Sequence, residues 1–162
     1  MITQASKTKI RPTTPEQVAW VSLLRAHAAA TRRFNSDLVS GHGLTLNDYE
    51  VLLHLAHAPE RRMRRVDLAN NVFLTPSGIT RLLAGLERAG YVERASCASD
   101  ARVTYALLTD AGLEKLRKAA STHVEGIRSH FADRFSAEEL ETLGGLLARL
   151  PLDGPEAGDC VP

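Results

Sequence analysis

Apolar positions recur every three or four residues over long stretches of this chain, and this period predicts a mostly helical protein. Thr14-Pro15-Glu16-Gln17 opens the first helix, with Thr14 as N-cap, Pro15 at the first helical position and Gln17 closing a capping box. Trp20, Leu24, His27, Thr31, Phe34 and Leu38 form one face, and Gly41-His42-Gly43 ends the helix. Thr45 caps the next helix, Leu44 staples onto Tyr49, and Tyr49, Leu52, Leu53 and Ala56 make its stripe up to Pro59. Residues 61–64 read as a connection before a brief helix over Val66–Ala69. After a turn at 71–74, Thr75 and Pro76 start a strongly amphipathic helix with Ile79, Leu82, Leu83 and Leu86 on one side. Ser77, Thr80, Arg81 and Ala84 lie on the other, and Gly90 is placed for a left-handed cap.

The period then shortens to two. Tyr91–Arg94 and Val103–Leu107 read as strands, the second alternating Val103, Tyr105 and Leu107, around a small polar hairpin loop at 95–101. Thr109 caps a long helix with a seam of Leu113, Leu116, Ala120, Val124, Ile127 and Phe131. Ser136-Ala137-Glu138-Glu139 is a capping box for a last helix carrying Leu140, Leu143, Leu147 and Leu150, closed by Pro151. The predicted fold is mainly α with a small β-hairpin. Its divisions are a flexible 1–12, an N-terminal helix over 13–43, a compact lobe over 44–109, C-terminal helices over 110–150 and a disordered tail over 151–162.

Composition narrows the picture. The 162 residues are 44% hydrophobic but only 5% aromatic, so Leu, Val, Ile and Ala must build the core. No stretch resembles a signal peptide or approaches the roughly 20 apolar residues of a membrane span, which predicts a cytoplasmic protein with no membrane partner. Cys97 and Cys160 do not make a disulfide framework. The overall charge of +1 hides an asymmetry: residues 61–102 hold eight arginines and four acidic residues, a net +4, which leaves −3 for the remainder. A basic middle between acidic flanks points to one polyanion-binding lobe, although a solvated surface would also carry such charge.

A short helix, a turn, an amphipathic helix and a β-hairpin in succession make a winged helix-turn-helix. The major groove admits one α-helix, whose first turns must be small and polar to approach base edges. Thr75, Ser77, Gly78, Thr80 and Arg81 meet that need. Asp100 can orient Arg102 at the base of the wing, and an arginine on a narrow hairpin suits the minor groove. Leu86-Glu87-x-x-Gly90-Tyr91-Val92-x-Arg94, then Asp100-x-Arg102, then Leu108-Thr109-x-x-Gly112 together resemble the MarR (multiple antibiotic resistance regulator) family, over about Pro15 to Leu150. The Ala/Ser-rich wing tip departs from the family by lacking further basic residues. The resemblance implies a homodimer built from the first and last helices and reading a pseudo-palindromic double-stranded DNA operator. It also implies Ser77, Thr80 and Arg81 in the major groove, Arg102 in the minor groove, and repression relieved by a phenolic or anionic small molecule.

Other signals compete. Trp20, His27, Tyr49 and Asp67 are candidate effector-binding residues, although Trp20 reads more readily as a core or dimer-interface residue. His54 and His57, with His27, His42, His123 and His130, offer imidazoles for a metal-responsive regulator, but no cysteine or carboxylate joins them at a ligand spacing. Cys97 on the wing offers a redox-responsive one. No metal or other cofactor is expected. Enzymatic function is disfavoured by the absence of a glycine-rich phosphate loop, a Ser-x-x-Lys or Gly-x-Ser-x-Gly element, or a catalytic metal pair. A winged-helix protein-interaction module without DNA binding remains the other class.

Overall fold

The computed structural model describes residues 12–96 and 103–150. The elements run α1 (Pro15–His42), α2 (Leu46–His57), a one-turn 3₁₀ segment (Pro59–Arg61), β1 (Arg62–Arg64), α3 (Arg65–Asn71), α4 (Pro76–Arg88), β2 (Val92–Ser96), β3 (Thr104–Leu108), α5 (Asp110–Phe131) and α6 (Ala137–Leu147). The fold is mainly α with a small antiparallel sheet. Most of residues 1–12, the loop at 97–102 and the tail at 151–162 lie outside the described residues.

Hydroxyl side chains set the helix starts, because the first amides of a helix have no intrahelical acceptor. Thr45, Thr75, Thr109 and Ser136 each accept from the amide three residues on, in α2, α4, α5 and α6. Asp48 completes a capping box with Thr45, and Glu139 does so with Ser136. The first helix departs from this pattern. Thr14 makes no side-chain cap, and the Gln17 amide oxygen instead accepts from the backbone and hydroxyl of Thr13. The reach of Gln17 is one residue longer than a capping box needs.

The core is a single apolar cluster with no buried polar or charged residue among those described. Val51, Leu52 and Leu55 of α2, Leu68 of α3 and Leu83 of α4 are completely or nearly completely enclosed, as is Val92 of β2. Leu116 and Ala119 extend the cluster onto α5, and Leu38 joins it from α1. At the junction of the lobe with the long helices, the His123 ring lies 4.5 Å from Tyr49 and 5.5 Å edge-on from Phe34. Burial holds the His123 imidazole below its ordinary pKa and the Tyr49 phenol above, so both pack as neutral aromatics.

One feature of the sheet differs from the sequence expectation. Residues 62–64 form a third strand, giving the order β1-β3-β2 with Arg62 opposite Leu107 and Arg64 opposite Tyr105. Three residues flanked by arginines leave no periodicity to read. The core-facing side of β3 carries Ala106 and Leu108, while Tyr105 and Leu107 are half-buried on the other side. There Arg62 lies over the Tyr105 ring at 5.4 Å, so the apolar alternation of Val103, Tyr105 and Leu107 serves a cation–π face. The last helix also stops at Leu147, before the expected Leu150.

The long helices are only partly covered. Leu38 is buried and Phe34 half-buried, but Trp20 is 60% exposed and Leu24 46%. In α5 the N-terminal half of the seam is enclosed, whereas Val124 and Ile127 face outward. α6 has no buried residue at all.

Candidate nucleic-acid interface

α4 divides cleanly along its length. Ile79, Leu83 and Leu86 anchor its back in the core, which turns Ser77, Thr80, Arg81 and Ala84 to the outside. Thr75 spends its hydroxyl oxygen on the amide of Gly78 at 3.1 Å and sits 3.2 Å from the Ser77 hydroxyl. Thr80 donates to the carbonyl of Pro76 at 2.8 Å, leaving its oxygen lone pairs outward. Gly78 has a structural reason of its own: a Cβ there would lie 3.2 Å from the Thr75 hydroxyl and crowd the cap. Among the described residues nothing pairs with the Arg81 guanidinium, so the exposed face offers hydroxyl acceptors and a free cation.

The arginine-rich stretch separates into two groups. Arg61 pairs with Asp110 at 2.9 Å, Arg62 with Glu60 at 3.1 Å, and Arg64 with Asp67 through two bonds of 2.5 and 2.9 Å. Arg65, on α3, reaches Glu87 on α4 at 2.9 Å, with both side chains mostly covered. These four therefore brace the lobe, and the charge count alone overstated its free positive charge. Arg81, Arg88 and Arg94 are exposed, and the Arg88 Nε donates back to the Ala84 carbonyl.

The wing rises from a tight junction. β2 and β3 pair from Val92–Leu108 to Ser96–Thr104. Thr109 donates its hydroxyl to the Gly90 carbonyl at 2.7 Å and its amide to the Tyr91 carbonyl at 3.1 Å. Gly90, at φ +74°, makes the turn that brings this about. A Cβ on Gly112 would fall 2.1 Å from the same Tyr91 oxygen, which explains Leu-Thr-x-x-Gly as a packing motif. Asp100, Arg102 and Cys97 lie outside the described residues.

This architecture has close counterparts. A model of the MarR family matches residues 42–103. Among solved structures, AbsC, a MarR family transcriptional regulator from Streptomyces coelicolor, shares 38% identity across 85% of this chain and 93% of its own, with a TM-score of 0.75. Sco3205, another from the same organism and crystallised in complex with DNA, shares 31% across 93% and 98%, with a TM-score of 0.78. The chain belongs to the MarR family. Among curated relatives of this MarR-family chain, the homoprotocatechuate degradative operon repressor of Escherichia coli is 29% identical over 142 residues, covering 88% of this chain and 93% of the relative. Its relatives are transcriptional regulators, and so is this MarR-family protein; it is not an enzyme. No helix among the described residues is long and apolar enough to cross a membrane.

The effector candidates in this MarR-family chain do not converge. Trp20 and His27 are exposed on α1, Tyr49 is buried against His123, and Asp67 is held by Arg64. None of them lines the cavity of about 560 Å³ that opens between α1, the start of α2 and α4. Its wall includes Arg32 and Asn35 of α1, Thr45 and Asp48 at the α2 cap, and Gly78, Arg81 and Leu82 of α4. Asp48 is engaged by the Thr45 amide and hydroxyl, and Asn35 accepts from the Leu46 amide at 3.0 Å, so Arg32 and Arg81 dominate the cavity's polarity. Arg32 and Asn35 were missed because they belong to a helix some 45 residues upstream of α4 and no local motif marks them. Among the described residues no three His, Cys, Asp or Glu side chains gather to hold a metal.

Proposed function

We propose that this protein is a homodimeric repressor that binds a pseudo-palindromic duplex DNA operator through α4 and the wing, and is released by an anionic or phenolic small molecule. The exposed face of α4 carries the reading: small polar side chains and an arginine unpaired among the described residues are presented outward by the buried Ile79, Leu83 and Leu86. On it, Ser77, Thr80 and Arg81 address base edges in the major groove, Thr75 and Gly78 shape the first turn for close approach, and Arg102, oriented by Asp100, enters the minor groove. The DNA complex of Sco3205 supports the same partner class.

Selection from a random duplex library tests this directly. The expected product is an inverted repeat with half-site centres about ten base pairs apart. Arg81→Ala should weaken binding to it by roughly 5- to 150-fold, equivalent to about 1–3 kcal/mol. Weak, salt-steep binding to every duplex without enrichment would move the protein-interaction reading to the front.

A dimer is supported by the outer helices. An isolated helix of 11 residues is marginal in water, and no residue of α6 is fully buried among the described residues, with only Leu140 and Leu143 partly covered. Trp20, Leu24, Val124, Ile127, Leu146 and Leu147 give it and its neighbours an apolar exterior that a second copy would cover.

Ligand release is supported by the 560 Å³ cavity, which shares Arg81 with the DNA-reading face and adds Arg32. The name of the Escherichia coli relative is consistent with a phenolic class. Salicylate and dihydroxyphenylacetate, titrated into the protein–operator complex, are the probes. Release by either at millimolar concentration or below, with Arg32→Ala retaining DNA affinity but requiring more ligand, is the expected pattern. A complex indifferent to both would remove the phenolic assignment.

A further inference from the structure

Phe73, in the turn between α3 and α4, lies outside the core formed by the described residues. It is 91% exposed, the most exposed of the large apolar residues described. Its backbone is left-handed, at φ +52°, where a β-carbon is unfavourable and glycine is the usual occupant. The turn enforces this conformation: the Val72 amide donates to Leu68, the Phe73 amide to Asn70 at 3.2 Å, and the Leu74 amide to Ala69 at 2.9 Å. These bonds close the end of α3 with Phe73 at its left-handed position. An aromatic ring in water on a backbone suited to glycine is disfavoured twice, and among the described residues no packing of the ring offsets either cost.

The position of the ring identifies its occupant. Phe73 stands two residues before Thr75, the cap of α4, and so just ahead of the helix that presents Ser77 and Arg81. The other large exposed apolar residues are mostly on α1, α5 and α6, the helices assigned to the dimer, whereas Phe73, like Val66 of α3, belongs to the reading lobe and is the more exposed of the two. In a major groove the one apolar group that distinguishes a base pair is the thymine 5-methyl, and phenylalanine is among the side chains that contact it. We propose that Phe73 packs against a thymine methyl in each half-site and thereby selects a T·A pair there. This rests on the DNA-binding reading above.

The test compares wild type, Phe73→Gly and Arg81→Ala on the selected operator, and on versions in which each thymine is replaced in turn by deoxyuridine, which lacks only the methyl. Phe73→Gly should melt at a higher temperature than wild type, because the turn is relieved, yet bind the operator about tenfold more weakly. One deoxyuridine position per half-site should weaken wild type and leave Phe73→Gly unchanged. Undiminished operator affinity of Phe73→Gly would overturn the proposal while Arg81→Ala still loses binding. Weakening without a deoxyuridine-sensitive position would overturn the thymine assignment by reducing Phe73 to a sugar contact. A wild type that selects no duplex, with Arg81→Ala indistinguishable from it, would instead sink the DNA-binding reading beneath it.

Discussion

Aspartate at both Leu146 and Leu147 is expected to convert the protein from dimer to monomer and to weaken operator binding by roughly 10²–10⁴-fold, the avidity lost when two linked sites become one. Both leucines are substantially exposed on a helix with no fully buried residue among those described, so the substitutions leave the core intact. In the proposed dimer each carboxylate would be carried into an apolar seam, where an unpaired charge is strongly disfavoured. Light scattering would show halved mass at unchanged helical circular dichroism, and the titration would show the affinity loss. An intact dimer would place the interface on other surfaces than α6.

Gly112→Ala is expected to cost about 1–3 kcal/mol or somewhat more, the range for overpacking a close-fitted site. The added carbon would stand 2.1 Å from the Tyr91 carbonyl oxygen and 2.7 Å from a Leu108 methyl. The first obstacle is backbone and is itself held by the Thr109 amide, so it cannot swing aside as a side chain would. Gly85→Ala, in the interior of α4 with nothing within 4 Å of its new carbon, is the matched control. It should be neutral or stabilising by about 0.5–1 kcal/mol, through the lower backbone entropy of alanine. Thermal melts of the two variants should move in opposite directions; equal melts would mean that α5 starts further from the wing than described.

What could be read from sequence was whatever is encoded locally. The hydroxyls at Thr45, Thr75, Thr109 and Ser136 announce helix starts because each cap is satisfied within three residues. The Ile79–Leu83–Leu86 stripe likewise fixes which side of α4 faces out. Long-range partners left no such trace. β1 exists only because β3 pairs with it, and the arginines at 61–65 are neutralised by acids as far away as Glu87 and Asp110. The alternation of Val103, Tyr105 and Leu107 marks a strand but not which side is buried, since the Arg62 over Tyr105 comes from another segment. The cavity beside Arg81 draws on α1, α2 and α4 together, so no single segment could announce it.

The Arg65–Glu87 pair has a mechanical consequence. With both groups mostly shielded from solvent, it resists screening better than an open surface pair would. It ties the supporting helix to the reading helix, so the two should swing as one rigid lever and not hinge separately. Under the proposed release by a small molecule, an effector wedged at the root of that lever would alter the distance between the two reading heads of the dimer, leaving the angle of each within its own lobe unchanged. On a duplex, a small error in that distance throws the second head out of phase with its groove, and release requires no unfolding of either one.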